Sequence, residues 1–288
     1  MFCHWLICLT KQIMFCNKFK AIFFCTFQLM KKPIALILFF SVLVTSAQNT
    51  TALTLLKKEK VTHNYFVGVD RFESLYYIKN DALEKKSDSN LQSYSNLQLG
   101  KIDQVHIFNA LKLAVLHKNF NSIVMLDNRM AEINSINFNN ITPYRLVTEI
   151  AYANESALWL YNTLSLQLEL FDYKTQKTKL NSLPFDREVV ALQSDYNNVF
   201  ALTASDLYHY NYTGSLISKI KHHGFEDFKL GSNFSIFKKG NLLFYKKNNS
   251  SEFEVLKTPK KIIKQFFVMN QTLYIYDGEF LYHYQLKI

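Results

Sequence analysis

Residues 156–180 read SALWLYNTLSLQLELFDYKTQKTKL. An apolar run, Ala157–Tyr161, meets a short polar turn. A second apolar run ends on Phe171, and Asp172 opens another turn into a more polar third run. Short runs rich in Leu, Tyr, Trp and Phe with Asn, Asp, Thr and Lys between them predict strands joined by tight turns. Five further segments overlay this one: SLYYIKNDALEKKS from Ser74, LKLAVLHKNFNSIVMLDNRMAEI from Leu111, NNVFALTASDLYHYNYTGSLISKI from Asn197, SNFSIFKKGNLLFYKKNNSSEFEVL from Ser232 and NQTLYIYDGEFLYHYQLKI from Asn270.

Aligned on their second turns, the segments place Asn80, Asp127, Asp172, Asn211, Lys247 and Gln285 in register, 36 to 47 residues apart. Asp and Asn suit such positions because their side chains accept hydrogen bonds from the local backbone. A repeat near forty residues with three or four strands is the pattern of β-propeller blades, which bury their faces only by stacking around an axis. The expectation is therefore an all-β chain folded as a single β-propeller of six blades, each of three to four antiparallel strands. The last repeat ends after its second run, EFLYHYQLKI, without a polar outer strand. Residues 51–60, TALTLLKKEK, are expected to supply that strand and close the ring. The stretch LEKKSDSNLQSYSN, residues 83–96, reads as a loop from its Ser, Asn, Asp and Lys content.

Residues 28–51, QLMKKPIALILFFSVLVTSAQNTT, carry a different signal. Lys31 and Lys32 precede an apolar run from Ile34 to Val44, followed by the small residues Thr45, Ser46 and Ala47. That order is a secretory signal peptide over residues 30–47, with cleavage between Ala47 and Gln48. The apolar run is too short to span about 30 Å of hydrocarbon as a helix. Met30 then reads as the start, and residues 1–29 as translated upstream sequence; they hold Cys3, Cys8, Cys16 and Cys25, the four cysteines of the chain. The chain from Gln48 to Ile288 has no thiol for disulfides or nucleophilic catalysis. Half of the formal charge of +10 belongs to the five lysines of residues 1–47. No basic stripe accompanies the rest, so nucleic acid is not expected as a partner.

The leader ending TSAQ, the hairpin LYYIKNDALEKKS, SNLQLGKID followed by SIVMLDN, and LWLYNTLSLQLELFDYKT resemble exported β-propeller-like proteins of unknown function from Bacteroidetes. The resemblance implies export and a propeller-like fold, and brings no catalytic residues. The blade plan is similar to that of WD40, quinone-type and NHL propellers. The Trp-Asp dipeptide and the tryptophan docking motif of the first two are absent, so no cofactor is implied.

Seven histidines follow the leader. His222 and His223 adjoin Glu226 and Asp227 in KIKHHGFED, but neighbouring residues bind one metal poorly and the spacing fits no metal pattern, so no metal ligand is assigned. His209 in LYHYNY and His283 in LYHYQL occupy equivalent repeat positions, which predicts a shared packing role. Asp70 with Glu73, like Glu226 with Asp227, lacks the cross-cleft spacing of a glycosidase pair. No nucleophile elbow, phosphate loop or HExxH motif occurs, so no catalytic residue is assigned. The tyrosines at strand ends read as inter-blade packing. The functional expectation is an exported, monomeric, non-enzymatic interaction scaffold with a protein partner in the periplasm or cell envelope. The alternative is a carbohydrate-active hydrolase or lyase, or a ligand-binding sensor, working at the mouth of the central channel.

Overall fold

The computed structural model describes residues 52–287 apart from 89, 110, 155, 249, 260 and 261. The signal peptide expected over residues 30–47, its Ala47–Gln48 cleavage point and the upstream residues 1–29 lie outside the described residues.

Among the described residues the strands form six four-stranded antiparallel sheets. The opening strand β1 (Ala52–Lys60) stands apart from the sequential order. The first blade holds β2 (Tyr65–Val69), β3 (Leu75–Lys79), β4 (Ala82–Lys86) and β5 (Leu91–Tyr94). The second holds β6 (Gln104–Asn109), β7 (Lys112–His117), β8 (Ser122–Asp127) and β9 (Glu132–Asn137). The third holds β10 (Val147–Asn154), β11 (Ala157–Asn162), β12 (Gln167–Asp172) and β13 (Lys177–Asn181). The fourth holds β14 (Val189–Ser194), β15 (Asn198–Thr203), β16 (Asp206–Asn211) and β17 (Leu216–Lys221). The fifth holds β18 (Asp227–Leu230), β19 (Phe234–Lys239), β20 (Leu242–Lys247) and β21 (Glu254–Leu256). The sixth runs β22 (Gln265–Met269), β23 (Thr272–Tyr276) and β24 (Phe280–Lys287), with β1 as its outer strand. The first strand of each blade touches the first strand of the next, from β2 round to β22 and back to β2. This is a six-bladed β-propeller with a closed ring.

The closing strand behaves as its sequence predicts. β1 pairs antiparallel with β24 from Ala52 opposite Lys287 to Lys60 opposite Phe280, with an irregularity between Leu55 and Lys57. Leu53 packs into the core between the fifth and sixth blades. β1 thus covers the edge of β24 and gives the last blade its fourth strand, as in the other five.

The second and third strands of the second and third blades are buried on both faces, which explains their near-continuous apolar runs. Every residue of β11 is buried, whereas the outer strand β17 (LISKIK) is mostly exposed. Six apolar clusters fill the six spaces between neighbouring blades. Asp127, Asp172 and Asn211 each turn the third strand into the outer one. The Oδ1 of Asp172 accepts from the amides of Lys174 and Thr175 at 3.0 and 2.9 Å, and that of Asn211 from Thr213 and Ser215 at 3.0 and 2.8 Å.

Three expectations need correction. Asn80 does not occupy the same turn as these residues. With Asp81 it joins β3 to β4, both at positive φ (49° and 61°), the two-residue hairpin geometry that Asn and Asp tolerate. Gln285 lies within β24, opposite Thr54, instead of in a turn. Residues 83–96 are not a loop: they hold most of β4 and all of β5, an outer hairpin whose exposure makes it polar.

Candidate functional site

The first strands surround a central cavity of about 400 Å³. Its wall includes Tyr65 of β2, His106 of β6, Gln193 of β14, Lys229 of β18 and Phe267 of β22. It also reaches Tyr196, Ser232 and Asn270, just beyond the ends of β14, β18 and β22, so one mouth lies where the first strands finish. The lumen wall mixes polar and apolar groups, and Asp195 at its mouth accepts from the amides of Asn197 and Asn198. Residues two apart on a strand share a face, and Lys229 Nζ donates to both carboxylate oxygens of Asp227 at 3.0 Å. In the 3-10 turn Lys118–Phe120 after β7, Lys118 Nζ donates to Glu149 Oε1 at 2.9 Å. The Lys118 amide is fixed by Asp103 Oδ2 at 2.8 Å.

These groups sit in low-dielectric surroundings. Burial pushes the Glu149 carboxyl up to about 7, although Lys118 opposes the shift. Burial, with a smaller push from Lys229, drives the His106 imidazole down to about 4, so the ring is neutral at neutral pH. His106 is 9% exposed, and its Nδ1 is buried without a hydrogen-bond partner among the described residues. Burial also raises the Tyr65 phenol, with Lys229, Asp227 and Glu149 as the charges acting on it. Gln104 clasps β6 to β10: its Oε1 accepts from the Ile150 amide at 2.9 Å and its Nε2 donates to the Ile150 carbonyl at 3.3 Å. Ser194 donates to the Tyr152 carbonyl across the next interface.

Phe267 reaches this wall because β2 carries a glycine beside it. A Cβ on Gly68 would lie 2.6 Å from the Phe267 ring, so the residue opposite must have no side chain.

The loops at the other end of the ring, where the first strands begin, expose apolar side chains: Leu97, Tyr144, Leu164, Leu183, Leu242 and Ile262. Leu97 is 97% exposed and Leu183 82%. The opposite end exposes Phe72, Leu111, Tyr196 and Tyr212 in its loops, and Leu91 and Leu216 at the first positions of β5 and β17.

The histidines read from the sequence have other places. His222 is buried, and its Nδ1 accepts from the amides of Gly224 and Phe225 at 3.2 and 3.1 Å, holding a turn. His223 is exposed; Glu226 pairs with Lys238 and Asp227 with Lys229, so these four residues do not converge. His209 and His283 do share a role. Each sits on a third strand opposite an aromatic, Phe200 or Tyr274, and bonds a neighbouring strand through Nε2, to Asn198 or Glu59 at 2.8 Å. Asp70 is buried as a turn residue, accepting from Phe72 and Ser74 amides and from the Tyr76 hydroxyl, while Glu73 is exposed. His117 is buried, its Nδ1 facing the carbonyls of Leu99 and Lys101. His63 bonds Glu84 at 2.6 Å and stacks on Tyr77. Tyr76, Tyr77, Tyr152, Tyr161, Tyr274 and Tyr276 are buried between blades. Among the described residues no three His, Asp or Glu side chains converge to hold a metal, and no helix is long and apolar enough to cross a membrane.

Sequence reasoning assigned no role to Tyr65, Lys118, Glu149 and Lys229, and treated His106 as one histidine among seven. All but Lys118 lie on first strands, which the repeat alignment left out. The usable signal was a charged or polar residue alternating with apolar ones just ahead of some repeats, as in Asp227-Phe228-Lys229.

No family model matches the chain, and no curated protein matches its sequence. Solved structures do. A catalytically inactive virginiamycin B lyase from Staphylococcus aureus with quinupristin aligns over 82% of this chain and 100% of its own, at 10% identity and a TM-score of 0.58. A chain of a mitotic checkpoint complex aligns over 85% of this chain and 95% of its own, at 9% identity and a TM-score of 0.60. BamB from Moraxella catarrhalis aligns over 81% of this chain and 100% of its own, at 10% identity and a TM-score of 0.50. At such identities the likeness concerns the fold, which is that of the β-propellers.

Proposed function

We propose that this chain is an exported, non-enzymatic β-propeller that serves as a protein-interaction scaffold in the periplasm or cell envelope. The observation that carries the reading is the apolar rim formed by Leu97, Tyr144, Leu164, Leu183, Leu242 and Ile262, spread over the loops at one end of the ring. Exposed apolar side chains grouped on one face of a rigid frame favour a protein partner. The similarity to a chain that works inside a mitotic checkpoint complex is in keeping with this use of the fold. Export rests on the sequence of residues 30–47 alone.

The test is in-cell crosslinking of the C-terminally tagged protein, with intact-mass measurement of the recovered chain. A chain beginning at Gln48, crosslinked to one stoichiometric partner, is the expected result. The double substitution Leu97→Asp/Leu183→Asp should abolish that crosslink, while Phe72→Asp at the opposite end should leave it. A partner retained by the rim variant refutes the rim as the docking face. A chain retaining residues 1–47 refutes signal cleavage. The lumen favours the second reading, a ligand-binding or carbohydrate-processing protein. That reading gains if the rim variant changes nothing and small molecules bind.

A further inference from the structure

We propose that the loop end of the fifth and sixth blades rests on an anionic lipid surface, with Leu242 and Ile262 entering the headgroup region and lysines meeting the lipid phosphates. This goes beyond the protein-docking reading of the rim and does not depend on Leu97 or Leu183. Three observations carry it.

The first is placement. Leu242 follows the hairpin turn Gly240-Asn241, and Ile262 lies in the crossing from β21 to β22. The Ile263 amide donates to Asn241 Oδ1 at 3.0 Å, which ties the two loops together. Ile263 itself is buried in the cluster between these blades and anchors the crossing. Ile262 is left 55% exposed, with Leu242 at 52% across the shared bond.

The second is charge. Residues 257–264 read KTPKKIIK, and the sequence holds no acid from Val255 to Tyr276. Lys257 and Lys264 are exposed, and neither forms an ion pair among the described residues. Lys239, three residues before Leu242, donates to the His223 carbonyl. The acids at this end are engaged: Glu226 with Lys238 at 3.1 Å and the Gly240 amide at 3.0 Å, Asp277 with the amides of its own turn. Exposed Glu279 lies 3.7 Å from Lys60. Across the ring the same end alternates in sign, as in Asp186-Arg187-Glu188. The basic charge is thus confined to one sector.

The third is the kind of residue. The cations of this sector are all lysines, and each apolar tip has one close by in the chain, Lys239 before Leu242 and Lys264 after Ile262. Protein interfaces are enriched in arginine and depleted in lysine. The long lysine stem instead lets an ammonium reach a headgroup while its apolar neighbour is buried. Four lysines in eight residues, beside exposed apolar side chains, form the pattern that an anionic lipid surface attracts. An acidic protein segment is the competing occupant.

The test is flotation of the chain beginning at Gln48, which holds every strand of the ring, with vesicles of phosphatidylcholine alone or of equal parts phosphatidylcholine and phosphatidylglycerol. Binding to the anionic vesicles only is expected, and molar salt should abolish it by screening. Lys257→Glu/Lys264→Glu should weaken it by about twenty-five-fold or more, roughly fivefold for each lysine lost. Leu242→Asp/Ile262→Asp should weaken it as well, and both variants should melt with the parent because the four positions are exposed. Arg187→Glu, across the ring at the same end, should leave it unchanged. Leu97→Asp/Leu183→Asp should leave it unchanged too, so failure of the rim as a protein face is told apart from failure here. Equal binding to neutral vesicles, or binding that survives the lysine variant, overturns the proposal. So does an absence of vesicle binding; if the lysine variant then loses the in-cell crosslink, the sector takes an acidic protein segment instead.

Discussion

Arg145 and Glu169 form a buried ion pair at the interface of the second and third blades, and its removal should be strongly one-sided. Arg145 is 2% exposed. Its Nε lies 3.2 Å from Glu169 Oε2, and its guanidinium lies 5.0 Å from the Phe171 ring and 5.8 Å from that of Phe138. Glu169 has other donors: Asn162 Nδ2 and Thr178 Oγ1, each at 2.8 Å. Glu169→Gln keeps the volume but leaves a cation among aromatic rings with no counter-charge, which costs about 3–5 kcal/mol. At about 2–4 °C per kcal/mol for a domain of this size, the melt should fall by roughly 6–20 °C. Arg145→Met leaves a carboxylate still served by two donors, so its cost should be smaller. The double variant Arg145→Met/Glu169→Gln removes both charges and should be more stable than the sum of the single effects by about 1–3 kcal/mol. Urea denaturation of the four proteins measures this cycle. Single effects that add in the double variant, or Glu169→Gln within about 1 kcal/mol of the parent, would refute the argument that charge compensation holds this pair in place.

Three other outcomes follow from the closure and the lumen. A chain starting at Val61, without β1, should melt far below one starting at Gln48, and a peptide of residues 50–62 added in excess should restore part of the loss through mass action; an unchanged melt refutes closure as a source of stability. The hydrogen bond from His283 holds the Glu59 carboxyl below its usual range, so its stabilisation is complete above the unfolded value near 4.3 and is lost as the pH falls through the lower folded value. Glu59→Gln should flatten that part of the acid limb in a comparison of melting temperature against pH, and a limb identical to the parent's counts against the pair. Gly68→Ala must displace the Phe267 ring and should cost about 1–3 kcal/mol in urea unfolding, with Gly100→Ala, whose Cβ meets no atom within 4 Å but whose φ is +58°, as a backbone-strain control.

What could be read from the sequence follows from how each strand is buried. Strands such as β7 and β11 have protein on both faces, so they appear as unbroken apolar runs, and their turns carry Asp or Asn caps. The closing strand could be inferred because the sixth repeat lacked one. The first strands could not be read in the same way. One face of each meets the lumen, so polar residues interrupt it, as in Asp227-Phe228-Lys229-Leu230. Several also carry register irregularities, between Phe66 and Gly68, Ile107 and Asn109, and Val189 and Ala191, which break the two-residue period. The outer hairpin β4–β5 is exposed enough to resemble a loop. The lumen groups were illegible for a topological reason. Tyr65, His106, Glu149 and Lys229 lie on four different blades, and no local spacing records that the ring brings them together.

This separation has a physical consequence. The apolar area that stabilises the ring lies between blades, in the six clusters that hold Trp159, the buried tyrosines and the aliphatic side chains. The lumen contributes little of that kind. It instead holds groups that oppose folding: a carboxyl raised to about 7, an imidazole lowered to about 4 and an unpaired nitrogen. A chain under no constraint beyond stability could replace Glu149 and Lys118 together, or His106 alone, with apolar residues and lose none of the inter-blade clusters. These groups set the axis apart from the apolar clusters, as the buried Arg145–Glu169 pair does at one interface. The prediction is direct: His106→Leu should melt at or above the temperature of the parent, because it fills the same space and removes a desolvated polar group. A marked loss of stability in His106→Leu would mean that the imidazole serves the fold.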